Sequence, residues 1–170
     1  MRNKLCISFL SVLFATTFSF SQEFSKSDFI VSYIQLGSPV DSVTIHLGKA
    51  KKVKSLKGEG FTAHFYDHLT IWLNDADNEI WAFDISDSSF KTHRGLKVGD
   101  SVKKVEDLYG KRNWTVEKFE RLGPYDYHFT NYSEATIYEY RPDEDSAWFI
   151  IFYIKQKKVV KILFYIGIED

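Results

Sequence analysis

The chain has 170 residues, with 22 Lys and Arg against 23 Asp and Glu and a formal net charge of −1. So even a balance argues against nucleic acid or an anionic membrane as a partner, because both select a basic face. The single cysteine, Cys6, lies near the N-terminus, so a disulfide framework is excluded, while the 17% aromatic content must serve either a core or a binding face.

In chain order, Arg2 and Lys4 precede an uncharged apolar run over residues 5–20, and Ser19-Phe20-Ser21 supplies small residues for a cleavage site. A signal peptide over residues 1–21 is expected, followed by a single mature domain over 22–170. The apolar run is short for a membrane span, and Cys6 comes too early in it for a lipoprotein cleavage box. The expected product is periplasmic or secreted, with no membrane insertion after cleavage. Loss of Arg2 and Lys4 leaves 20 basic against 23 acidic residues, about −3.

Two segments then repeat. Residues 36–48 read LGSPVDSVTIHLG and residues 98–110 read VGDSVKKVEDLYG, a spacing of 62 residues. Gly37 aligns with Gly99, Gly48 with Gly110, and Val40 and Val43 with Val102 and Val105. Each predicts a short helix. Ser38 is expected to cap the first, with Pro39 at its first helical position; Asp100 is expected to cap the second. Val40, Val43 and Leu47 share one helical face, as do Val102, Val105, Leu108 and Tyr109. Gly48 and Gly110 supply the left-handed ends.

Runs of period two follow each helix. Residues 60–68, 69–75 and 79–86 are expected as strands after the first, with a hairpin at Asp75-Ala76-Asp77-Asn78. Residues 126–132, 135–141, 147–155 and 158–168 are expected after the second, with a hairpin between Lys155 and Lys158. The fold class is therefore α+β. Two similar halves, about 30–90 and 92–168, each place a short helix on an antiparallel meander.

Gly37, Val43 and Gly48, with Gly99, Val105 and Gly110, give residues 30–168 a resemblance to the outer-membrane assembly lipoprotein (SmpA/OmlA) fold. In tandem, the unit resembles the beta-lactamase inhibitory protein fold. The resemblance implies an envelope or extracellular module that binds another protein. The mature chain departs from both families in having no cysteine.

The constellations that could carry chemistry are sparse. His64 and His68 would lie about 13 Å apart on one strand face, too far to chelate one ion. Asp75-Ala76-Asp77-Asn78-Glu79 opens like a calcium loop, but its sixth position is Ile80 and its twelfth Ser86, where glycine and glutamate are needed. No G-x-S-x-G elbow occurs, and Asp143, Glu144 and Asp145 sit in a proline turn without a cleft to raise a pKa. No catalytic residue, metal site or cofactor is expected.

Alternation places Phe61, Phe65, Ile71, Leu73, Trp81, Phe83, Ile85, Phe152, Ile154, Ile162, Phe164 and Ile166 beneath the helices. The opposite face would show Thr62, His64, Tyr66, Thr70, Trp72 and Asn74, with Tyr138, Tyr140, Ile151, Tyr153, Leu163 and Tyr165. Trp72, Tyr138, Tyr140, Tyr153 and Tyr165 are the expected partner-binding residues, because large aromatics with polar tips dominate interface hot spots. The same face could instead be covered internally. The function expected is a non-enzymatic protein-binding module, of inhibitor or immunity type. An envelope-assembly accessory and a small metal- or ligand-binding enzyme are the alternatives.

Overall fold

A computed structural model describes residues 24–56, 58, 60–110, 115–116, 135–142 and 145–167. The expected signal peptide over 1–21, the strand expected over 126–132, and Asp143 and Glu144 lie outside them.

The described chain begins with a 3-10 turn (Lys26–Phe29) and two short strands, β1 (Ile30–Val31) and β2 (Ile34–Gln35). Helix α1 (Asp41–Leu47) leads into β3 (Lys52–Leu56), β4 (Phe61–Tyr66), β5 (Leu69–Asn74) and β6 (Ile80–Ile85). Helix α2 (Val102–Tyr109) leads into β7 (Thr115–Val116), β8 (Thr136–Tyr140), β9 (Trp148–Lys155) and β10 (Lys158–Ile166). Apart from the β1-β2 pair, all strands form one sheet in the order β3-β4-β5-β6-β10-β9-β8-β7. Every pairing is antiparallel, so the fold is α+β. The seam is β6 against β10, where Phe83 lies opposite Phe164 with the rings stacked at 4.6 Å.

Both helices pack on one side of the sheet, α1 through Val40, Val43 and Leu47 and α2 through Val102, Val105, Leu108 and Tyr109. Neither helix would hold alone at this length; full burial of Val43 and Val105, worth about 1.5–3 kcal/mol each, supplies what propensity does not. Gly48 and Gly110 end them at φ 73° and 84°, where a side chain would be strained. The expected caps are corrected. Ser38 donates to the Gln35 carbonyl at 2.7 Å, outside the helix, and makes no cap. Ser101, not Asp100, caps α2 by accepting from the Lys104 N–H at 3.3 Å. Asp100 accepts instead from the Lys97 N–H and from Lys104 Nζ.

The face assignment is also corrected in part. Cross-strand partners share a face, and Phe61, Ala63 and Phe65 lie opposite Asn74, Trp72 and Thr70. Phe61 and Phe65 therefore belong with Trp72, away from the helices, and Tyr66 belongs with the helix-side core. Trp81 is the extra residue of a bulge where the β5-β6 register shifts, so it also joins the far face. Tyr138 lies opposite Phe152 and Tyr140 opposite Ile150, which puts both tyrosines beneath the helices. Ile71, Leu73, Phe83, Ile85, Phe152, Ile154, Ile162 and Phe164 occupy the expected helix-side core.

Two hairpins follow local chemistry. At Asp75–Asn78, Asn74 and Asp77 carboxamide and carboxylate oxygens accept from the Ala76 and Glu79 N–H groups, and Asn78 adopts φ 59°. Gln156 and Lys157 both take positive φ, 51° and 61°, giving the two-residue turn whose twist matches that of the strands it joins.

Candidate functional site

The five aromatic residues expected to bind a partner do not form one surface. Trp72, Tyr153 and Tyr165 lie on the face away from the helices and are 0%, 1% and 6% exposed. Tyr140 is 1% exposed on the helix side, where its hydroxyl donates to the Gly110 carbonyl at 2.9 Å and pins the end of α2. Tyr138 is half-buried against that same core. Around Trp72 the partly exposed aromatics are Phe65, Trp81 and Phe149, the last stacked on Tyr165 at 4.6 Å.

The chemically suggestive groups have structural occupations. Asp84, on β6, meets Lys161 Nζ at 2.9 Å, and both side chains are 6% exposed. Burial pushes the Asp84 carboxyl above the usual carboxylate range, and the Lys161 charge and hydrogen bond only partly counter it. Asp28 and Arg94 form a second buried pair: Nε and Nη2 of Arg94 reach the two carboxylate oxygens at 2.5 and 2.8 Å. The guanidinium lies 4.6 Å from the Phe24 ring centre and 4.9 Å from that of Tyr109, and Nη1 donates to the Leu108 carbonyl. The pair therefore ties the N-terminal turn to α2.

His64 is in β4, where burial lowers its pKa, and His68 is in the exposed turn beyond, at φ 59°. Among the described residues no group of three or more His, Cys, Asp or Glu is placed to hold a metal ion. A shallow groove of about 270 Å³ lies between the N-terminal turn and β9, lined by Phe24, Lys26, Phe29, Pro142, Ser146 and Trp148. No helix among the described residues is long and apolar enough to cross a membrane.

What the sequence reading missed is β3. Among the described residues it ends the sheet, paired on one side only, with Lys52 opposite Phe65, Val53 opposite His64 and Lys54 opposite Ala63. Every residue of it but Leu56 is exposed. Lys49 and Lys51 precede it, so residues 49–58 carry five lysines and no acid. Among the described residues Lys51 pairs with Asp67 at 2.6 Å, and Lys52 lies 5.7 Å over the Phe65 ring. Among the described residues, Val53, 55% exposed, and Ile45 on α1, 79% exposed, are the large exposed apolar residues. An unpaired strand backbone, alternating cations and an exposed valine together make the most distinctive open surface described.

No protein-family model and no curated protein sequence matches the chain. Among solved structures, it is similar to an extracellular protein containing a SCP domain from Bacillus anthracis, with a TM-score of 0.52 and 8% identity over 76% of this chain and 43% of that one. It is also similar to a cysteine-rich secretory protein from Staphylococcus aureus, with a TM-score of 0.48 and 16% identity over 77% of this chain and 43% of that one. The chain thus spans less than half the length of either. The first of these corrects the resemblance drawn from Gly37, Val43, Gly48, Gly99, Val105 and Gly110. The fold is shared with that extracellular SCP-containing protein, not with the assembly lipoproteins or the inhibitory protein. The physical reason is that glycine-bounded short helices specify helix ends, which many sheets accommodate, and not the sheet on which the helix lies.

Proposed function

We propose that the chain is an exported, non-enzymatic module that binds a protein partner at the β3 edge. The observation that carries this reading is the combination of an open strand backbone, exposed lysines and exposed Val53 on β3, while Trp72, Tyr140, Tyr153 and Tyr165 are buried. Export is supported by the basic, apolar and small-residue succession of residues 1–21 and by the likeness to an extracellular protein. The halves 30–90 and 92–168 are proposed as copies of one unit, supported by the order of a helix followed by four strands in each. Any contribution from the far face would come from the partly exposed Phe65, Trp81 and Phe149 around the buried aromatics.

A photo-crosslinking residue at position 53, compared with one at position 103 on the exposed side of α2, tests the surface. A specific adduct from position 53 alone is expected, and equal or absent capture at the two positions removes the module reading. Trp72→Ala serves as the contrast: it empties a buried site and is expected to cost about 3–5 kcal/mol of stability. Mass spectrometry of the native protein should find Gln22 at or near the N-terminus, whereas an intact Met1 in the cytosol would refute export.

A further inference from the structure

We infer that the β3 edge accepts an extended acidic segment of the partner as an added strand, with acidic residues at alternate positions and an apolar residue between them. The inference rests on the protein-binding reading above and gives that site its ligand chemistry. A terminal strand has backbone N–H and C=O groups directed away from its neighbour, and these can extend the ladder to another chain. β3 is five residues long, close to the length of an ordinary strand, and Lys52 to Leu56 pair in unbroken register with β4. Lys52 and Lys54 are two residues apart and project on one face of the sheet, the face of their partners Phe65 and Ala63. Val53 projects on the other.

A strand laid beside β3 therefore meets two cations on one face and a half-exposed valine on the other. Side chains directly opposite across a pair stabilise when oppositely charged and destabilise when alike. The added strand should carry Asp or Glu opposite Lys52 and Lys54, and an apolar residue opposite Val53. The same rule disfavours a second copy of this chain, because pairing two β3 edges would bring lysine-rich strands together. Lysine on an edge is a common guard against indiscriminate pairing. Here the guard also selects: neutral and basic strands gain nothing from it, while an acidic strand is attracted and held in register.

The test uses the mature chain and three synthetic octapeptides, one alternating Glu and Val, one with the same residues in two blocks, and one alternating Lys and Val. Binding is read by fluorescence anisotropy and by amide shifts of labelled protein. The alternating acidic peptide should bind at least about tenfold more tightly than either control, and the largest amide shifts should fall on residues 52–56. The double variant Lys52→Glu with Lys54→Glu, both exposed and so expected to fold, should lose that affinity by at least about tenfold and should now prefer the Lys-Val peptide. Circular dichroism confirms its fold. Equal binding of the blocked peptide, shifts centred away from β3, or no reversal of preference would overturn strand addition. If the peptides fail while crosslinking from position 53 still captures a partner, only the acidic-strand chemistry falls. If both fail, the module reading falls with it.

Discussion

On one side of the molecule Asp28 receives two guanidinium nitrogens of Arg94, at 2.5 and 2.8 Å, and the Ser25 backbone N–H at 2.9 Å; at the β6-β10 seam Asp84 meets Lys161 Nζ at 2.9 Å. All four side chains are at most 6% exposed. Burial penalises both carboxylates, yet Asp28 ends below the usual carboxylate range, because the hydrogen bonds from Arg94 and Ser25 and the Arg94 charge outweigh it. Asp84 ends above that range, because burial outweighs Lys161. A planar fork plus a backbone donor replaces the lost hydration of a carboxylate; an ammonium at one oxygen does so less completely. Burial alone therefore does not say whether an ion pair holds a fold together.

The largest expected effect comes from the fork. Arg94→Met should cost about 3–5 kcal/mol in urea unfolding, since it leaves a buried carboxylate and removes the contacts to Phe24, Tyr109 and the Leu108 carbonyl. Asp84→Asn keeps the shape at the seam and should cost less, about 1–3 kcal/mol. A loss as large as that of Arg94→Met would break the distinction.

Replacing both members sharpens it. Asp84→Leu with Lys161→Met should lie within about 1 kcal/mol of the parent or be more stable, because an apolar pair of similar volume avoids the desolvation of two charges. Asp28→Leu with Arg94→Met should remain destabilised by about 2–3 kcal/mol, because the Leu108 carbonyl and the two rings still lose their cation. Equal outcomes for the two double variants would show that the fork has no role beyond its charge.

How much of this was legible depended on whether the determining contacts were local. The ends of α1 and α2 could be read from Gly48 and Gly110, because positive φ is a property of the residue itself. The hairpin at 75–78 was legible from its Asp and Asn residues, which bond their own turn. That at 155–158 was legible from the polar break between two alternating apolar runs, although Gln156 and Lys157 do not themselves favour positive φ. The faces of β4 and β8 were not, since parity carries across a strand pair only once the register is known. Phe65 opposite Thr70, and Tyr138 opposite Phe152, decide those faces through partners on other strands. Trp81 was misplaced by a bulge, which shifts parity within a strand that otherwise alternates. β3 escaped because lysines stand where an alternating core strand would show apolar residues. The Asp84–Lys161 pair, 77 positions apart in sequence, had no local signature.

Acid titration separates the pairs by sign. Asp28 has a native pKa below its unfolded value near 3.8, so its stabilisation is present above that value and is lost as pH falls through the native one. Asp84 has a native pKa above 3.8, so its contribution declines as pH rises from there through the native value. Urea midpoints over about pH 3 to 6 should show Asp28→Asn flattening the acid side of the profile and Asp84→Asn removing a decline on the other side. The same change of slope in both variants would contradict the opposed shifts.

The smallest effect belongs to a pair that matches the others in distance and differs in solvent. Lys103 Nζ reaches both oxygens of Asp107 at 2.8 Å, on the outer face of α2, with the side chains 78% and 57% exposed. By contact distance it is as close as Asp84–Lys161, and it engages two carboxylate oxygens where that pair engages one. By environment it differs, because water already solvates both groups, salt screens them, and holding two long side chains in place costs entropy. Glutamine nearly matches lysine in helix propensity, so Lys103→Gln removes the charge with little change to the helix. Its denaturation midpoint should not move beyond the reproducibility of the measurement, at low or high salt. A clear loss that high salt abolishes would mean that exposed contacts on α2 hold it to the sheet, and the ranking by burial and hydrogen-bond number would have to give way to one by contact distance.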